Sequence, residues 1–141
     1  MVLDPGPWPV ALLVSTAVHL GFQATVTLLV YPALGRVPAT SWPQEHAAHS
    51  RRITPLVAVV YGAVLVACAG ALVTSTDSLG VWVAALGTAG AFLVTALVAA
   101  PTHARLGRGR TDELVTRLLG ADRLRLGAAL VALAGAVATA G

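Results

Sequence analysis

The sequence predicts an all-α fold, a bundle of four transmembrane helices. Three observations carry that prediction. Charged residues make up 11% of the chain and hydrophobic ones 57%, whereas a soluble domain carries about 25% charged residues. Mean hydropathy is +0.81. Four apolar stretches, separated by short polar ones, fill the 141 residues; at about 20 residues per span they leave no room for a second domain. Finally, the basic residues are nine Arg and no Lys, all confined to two of the three connections and the helix starts beside them.

The first span is expected over residues 9–31. Pro7 and Pro9 suit a helix start and Pro32 a stop, and Trp8 suits an interfacial anchor. The stretch before it has Asp4 and no basic residue, so it is read as a retained span rather than a signal peptide. The second helix is expected over residues 42–73, opened by a capping box of Ser41 and Gln44 with Pro43 in the first turn. At about 1.5 Å per residue it is roughly 48 Å long, beyond the roughly 30 Å hydrocarbon core. Its first turns, with Glu45, His46, His49, Arg51 and Arg52, therefore project from the core or line a pocket, and Pro55 is a candidate kink. The third helix is expected over residues 79–100, ended by Pro101. The fourth covers residues 112–140, N-capped by Thr111, with Asp112 and Glu113 at the positive end of its dipole.

The first and third connections hold Arg36, Arg51, Arg52, Arg105, Arg108, Arg110, Arg117, Arg123 and Arg125, while the N-terminus and the second turn carry only Asp4 and Asp77. The positive-inside rule then sets both termini outside and the over-long starts of helices 2 and 4 on the cytoplasmic side of the cell membrane. A net charge of +3 located in membrane-proximal loops points to anionic lipid headgroups and away from nucleic acid. The single Cys68 excludes an internal disulfide and Cys-rich metal motifs. Small residues recur every four positions at Ala63/Ala67/Ala71, Gly87/Ala91/Thr95/Ala99 and Ala128/Ala132/Ala136/Ala140, a pattern that permits close helix packing and equally fits an Ala-rich composition.

The polar residues form a second pattern. His19 lies mid-span with Gln23 one turn on and Ser15 one turn back, a stripe that must face the bundle because lipid offers no hydrogen bonds. His46 and His49 are i and i+3 on the second helix. Tyr31 and Trp42 flank the first connection, His103 follows Pro101, and Asp122 and Arg125 are i and i+3 on the fourth helix. These residues are expected at one end of the bundle, around a cup open to the cytoplasm. His46 and His103 are the candidates for acid/base work, a role imidazole fills near neutral pH. His49, Gln23 and His19 would orient substrate or the catalytic His. Arg52 and Arg125 would hold a carbonyl or anionic oxygen, with Tyr31, Trp42 and Asp122 completing the pocket. The same imidazoles of His46, His49 and His103, with Glu45, His19 or Gln23, are also candidate metal ligands. A di-iron site is excluded, since it takes about four carboxylates and paired ExxH motifs.

The spacing Tyr31-Pro32, Trp42-x3-His46-x2-His49, Ile53, Pro101-x-His103-x2-Leu106 and Leu119-x2-Asp122-x2-Arg125 resembles a widespread group of small bacterial four-helix membrane proteins. More distantly it is similar to the anthrone-oxygenase-like membrane family, whose late Asn-Trp-x-Arg stands here as Asp122-Arg123-x-Arg125. The resemblance implies oxidation of a lipophilic small molecule, as anthrones are converted to quinones, with His46, His103 and Arg125 at the matched positions. The residues by themselves leave two classes open. One is a small membrane enzyme acting on a lipophilic molecule by oxidation, isomerisation or cyclisation. The other is a non-catalytic accessory or scaffold subunit, either of them free to form a homo-oligomer.

Overall fold

The computed structural model describes residues 6–140, and among them every extended element is a helix. Asp4 and the Ala140 side chain lie outside the described part. Four long helices run up and down: α1 (Pro7–Gly35), α2 (Trp42–Thr74), α3 (Leu79–Leu106) and α4 (Asp112–Ala140). The first three are long and apolar enough to cross a membrane. In α4 the charged residues crowd the first half and an apolar stretch follows.

Pro32 and Pro101 do not end their helices. Proline lacks an N–H and its ring crowds the carbonyl four residues back. In both helices the turn before it widens into a π-turn, Val26–Val30 in α1 and Thr95–Ala99 in α3. The Tyr31 and Ala100 N–H groups then donate five residues back, to the Val26 and Thr95 carbonyls. The wider turn accommodates the ring, and each helix continues for several residues, bringing Leu34 and His103 into the bundle. The helix of residues 42–74 is unbroken at Pro55.

Of the two expected caps, one forms and one does not. Ser41 makes no cap bond; its Oγ donates to the Pro38 carbonyl at 3.4 Å, so the capping box with Gln44 does not form. Thr111 Oγ1 accepts from the Leu114 N–H at 3.2 Å, and Ser78 Oγ accepts from Val81 N–H at 3.4 Å to start α3.

The small residues of α3 and α4 face each other. A Cβ on Gly87 would collide with the Ala132 amide and the Ala128 carbonyl, and one on Gly135 with the Ala84 amide and the Gly80 carbonyl. Backbone thus meets backbone, with Ala84, Ala91, Ala132 and Ala136 fully buried at the contact, which is how apolar helices gain dispersion contact where lipid removes any hydrophobic advantage. α1 packs on both α2 and α4, with the Trp8 ring occupying the space where a Gly70 Cβ would lie. The α2–α3 seam is the most open of the four.

At the arginine-bearing end the two connections are tied together. Trp42 Nε1 donates to the Leu106 carbonyl at 2.9 Å. Arg110 donates to the Gly35 carbonyl at 3.2 Å, pairs with Asp112 at 3.0 Å and lies 5.8 Å over the Trp42 ring. Elsewhere the outer surface is apolar: Leu28, Leu29, Val59 and Leu86 are each about two-thirds exposed or more. Leu130, Val131 and Val137 of α4 join that surface. A soluble monomer rarely carries so extensive an apolar exterior.

Gly87→Ala and Gly135→Ala are expected to lower stability by about 1–3 kcal/mol each through overpacking. Gly62→Ala, whose Cβ would meet open space, serves as the neutral control. Thermal unfolding in detergent reads the difference, and three equal melting temperatures would contradict the close α3–α4 approach.

Candidate functional site

One face of α1 presents Thr16, His19, Gln23 and Thr27 at three- and four-residue spacing, turned into the bundle. Gln23 is 0% exposed and makes the central contacts. Its Nε2 donates to Asp122 Oδ1 at 2.6 Å, and its Oε1 accepts from Arg125 Nε at 3.2 Å and Nη2 at 3.0 Å. Thr27 Oγ1 donates to Asp122 Oδ2 at 2.5 Å. Asp122 and Arg125, one turn apart on α4, also pair directly at 3.2 Å. Both carboxylate oxygens and most guanidinium donors are therefore satisfied away from water, the condition under which a buried ion pair is tolerated.

A second chain of contacts lies beside this clasp. Tyr31 Oη and His103 Nε2 are 3.1 Å apart, as are His103 Nδ1 and His46 Nε2. A neutral imidazole has one donor and one acceptor nitrogen, so the chain runs either Tyr31→His103→His46 or the reverse. Interconverting the two polarities moves a proton from one end to the other. His49 backs the chain, its ring stacked on His103 at 5.7 Å and edge-on to Tyr31 at 6.0 Å. Arg125 lies within electrostatic reach of Tyr31 and His103, which couples the clasp to the chain.

Both networks border a cavity of about 420 Å³. Tyr31, His46, His103 and Arg125 form its polar wall; Phe22, Val26, Ile53 and Val57 supply apolar wall. The π-turns contribute Val26, Thr95 and Ala99. The cavity does not open at the end of the bundle, as the sequence suggested. Trp42, Leu106 and Arg110 pack together over that end. The exposed part of the lining is Thr54 on α2, Ala100 and Ala104 on α3, and Gly107 just past its end, so the opening is sideways along the loose α2–α3 seam.

Of the residues singled out from sequence, Gln23, Tyr31, His46, His49, His103, Asp122 and Arg125 come together in the two networks. Trp42 adjoins them, its ring 5.1 Å from His46, as part of the closed end rather than of the cavity wall. Asp122 is turned into the clasp and does not line the cavity. Arg52 and Glu45 are exposed and stand apart, because the α2 face that turns inward carries Trp42, His46 and His49. His19 lies deeper, fully buried, with its ring edge-on to Tyr61 at 4.8 Å. Neither His19 nitrogen has a hydrogen-bond partner among the described residues. Tyr61 in turn bonds Thr95 across α2–α3 at 3.1 Å.

Thr27, Tyr61, Thr95 and Arg110 were not legible as site residues. Thr27 follows Gln23 by four positions, which is the one signal that extends the polar stripe. For metal, no group of three or more His, Cys, Asp or Glu among the described residues has a ligating arrangement. His103 has both nitrogens engaged by Tyr31 and His46, the His49 and His103 rings stack instead of pointing to a common centre, and Glu45 faces away.

Asp122→Leu strands the Arg125 charge in the interior and is expected to cost about 3–5 kcal/mol. The double change Asp122→Leu/Arg125→Met removes both charges and should recover a large part of that loss. Chemical unfolding in detergent of the single and double variants checks the pair; a double variant no more stable than the single would deny the compensation. No protein-family model matches the chain, and no curated protein or solved structure shows significant similarity to it.

Proposed function

We propose that this protein is a small membrane-embedded enzyme that moves protons on a lipophilic small molecule held in the α2–α3 cavity. All four helices span the cell membrane in this reading, with both termini outside. The apolar exterior of α4 at Leu130, Val131 and Val137 supports the fourth span, and the confinement of Arg to one end supports the orientation.

The observation that carries the catalytic reading is the Tyr31–His103–His46 chain on the wall of a largely apolar cavity. His46 Nδ1 is the ring nitrogen left outside the chain and serves as the base. As it takes a proton from carbon next to a carbonyl, His46 Nε2–H passes its own to His103 Nδ1, His103 Nε2–H passes one to Tyr31 Oη, and Tyr31 releases its own hydroxyl proton back to the substrate in the cavity. Arg125 holds the carbonyl oxygen as enolate charge develops, the role of a preorganised cation in a site without water. Removal of such a proton is the step shared by an isomerisation, a cyclisation and an oxidation by dioxygen, the last being the chemistry the anthrone-oxygenase resemblance implies. The rival reading is a non-catalytic subunit whose polar residues tie the helices together. The Gln23–Asp122–Arg125 clasp favours it, since its Gln23–Asp122 bond joins α1 to α4 between residues that do not line the cavity.

The test uses 2-tetralone, a neutral enolisable ketone, with purified protein in deuterated buffer. Mass spectrometry follows deuterium uptake at the α-carbon. Wild type is expected to accelerate uptake, and His46→Ala and His103→Ala to lower the acceleration about 10²-fold or more, with melting temperatures nearly unchanged. Uptake equal in all three proteins, or equal and large destabilisation by both substitutions, would favour the scaffold reading instead.

A further inference from the structure

The geometry points to a ligand of one charge class and one route: we infer that the cavity is loaded sideways from the bilayer, through the α2–α3 seam, by a neutral lipophile bearing a carbonyl or phenolic oxygen, and that anionic amphiphiles of the same size are excluded. The inference rests on the site proposed above and specifies what fills it.

The route follows from which walls are closed. At the arginine-bearing end, Trp42 is 3% and Leu106 0% exposed, and the Trp42 N–H is bonded to the Leu106 carbonyl. Arg110 bridges across both by stacking on Trp42 and bonding Gly35. On the α1 and α4 sides the cavity ends on buried Val26, Tyr31 and Arg125. The remaining side is the seam, where Thr54 faces Ala100 and Ala104. Small residues one turn apart on α3 leave a slot there that larger side chains would fill. Leu56 and Leu97, two and three residues from Thr54 and Ala100, are exposed apolar side chains on the same two helices, so hydrocarbon reaches the level of the slot. A molecule dissolved in the bilayer reaches the slot directly, while a water-soluble one meets the closed end.

The charge class follows from the clasp. Arg125 is the one cation on the cavity wall, and Asp122, 3.2 Å away, already neutralises it. Asp122 is held in that position by Gln23 and Thr27, so it cannot swing away to let another anion take the guanidinium. A carboxylate or phosphate entering the cavity would add an uncompensated negative charge to an apolar space, at the cost that keeps lone ions out of protein interiors. A carbonyl or phenol oxygen brings only a dipole. It can accept from the guanidinium without disturbing the ion pair, and negative charge appears on it only as the proton leaves. The cavity volume of about 420 Å³ lies within the range of small-molecule sites, about 300–1,000 Å³.

Benzophenone tests both parts, because it is a neutral diaryl ketone and photochemically reactive; 4-benzoylbenzoate is the same scaffold with a carboxylate. Protein reconstituted in phosphatidylcholine vesicles is irradiated with each at pH 8, above the ordinary imidazole pKa of about 6.5, and the labelled peptides are mapped. Benzophenone is expected to label α2 and α3 around Ile53, Val57 and Ala104 saturably, with 4-benzoylbenzoate at least about tenfold less effective, a factor equal to about 1.4 kcal/mol. Ala104→Trp and Thr54→Trp, from opposite sides of the slot, should each abolish the saturable labelling. Ala96→Trp, exposed on α3 but outside the cavity lining, should leave it intact. Equal labelling by the carboxylate overturns the charge class, and undiminished labelling of both slot variants overturns the route; no saturable labelling of wild type overturns both. The catalytic reading stands or falls separately: slot variants that keep deuterium uptake sink the route alone, and normal labelling without uptake sinks the catalysis alone.

Discussion

Arg125 sets the terms for this bundle. A guanidinium that is 5% exposed among apolar helices is stable only where its charge is matched and its N–H groups are occupied. Asp122 matches the charge from one turn away, and Gln23 occupies two of the donors while offering its own amide to the carboxylate. Thr27 completes the carboxylate. Since Gln23 and Thr27 belong to α1 and the ion pair to α4, satisfying one buried charge fixes the register of the first helix against the last. That register decides how deep Tyr31 sits, and Tyr31 is where the clasp meets the histidines.

The two π-turns act at the same level. Each relieves a proline that would otherwise break its helix, and each thereby carries a functional side chain across a point where the chain would have turned away. Without the π-turn at 26–30, Tyr31 would close a helix end; with it, Tyr31 is buried against His103 and His49. Without the one at 95–99, His103 would belong to a loop; with it, His103 occupies a helical position between Tyr31 and His46. Both widened turns also line the cavity, so the same backbone defect makes room beside the Tyr31–His103–His46 chain. The tight α3–α4 contact through Gly87 and Gly135 draws those two helices together and leaves the α2–α3 seam loose.

Much of this could be read in the sequence. The helical class, the start of the long helix at Trp42 and of α4 at Asp112, and the convergence of polar residues at one end all follow from local pattern: periodicity, proline and hydroxyl caps, and polar residues that lipid would not satisfy. Residues whose placement depends on partners far along the chain are not legible in local pattern. Pro32 and Pro101 read as stops by propensity, which does not register a π-turn. Arg110 passes for a solvated loop charge until Trp42 and Gly35 are seen beneath it. Arg52 and Glu45 share a helix with His46 and His49, yet the face they occupy depends on a helix phase that the polar residues of α2 do not specify. Asp122 looked like a ligand-binding group on charge alone, and its partner Gln23 is 99 positions away.

The closed end has a consequence for the direction of proton flow. A chain from Tyr31 through His103 to His46 has both terminal residues on the cavity wall, and the end of the bundle beyond them is sealed by Trp42, Leu106 and Arg110. A proton taken up at one end of that chain therefore has its nearest outlet back in the same cavity, at the other end. Chemistry that relocates a proton within one molecule suits this arrangement better than chemistry that must discharge protons to water at every turnover. His19 lies below the chain, with no hydrogen-bond partner for either nitrogen among the described residues, and Leu12, Val64 and Val81 are fully buried in the interior beyond it. In the proposed mechanism the bundle thus keeps the Tyr31–His103–His46 chain away from both axial ends and beside the lateral slot, the route proposed for a lipophile.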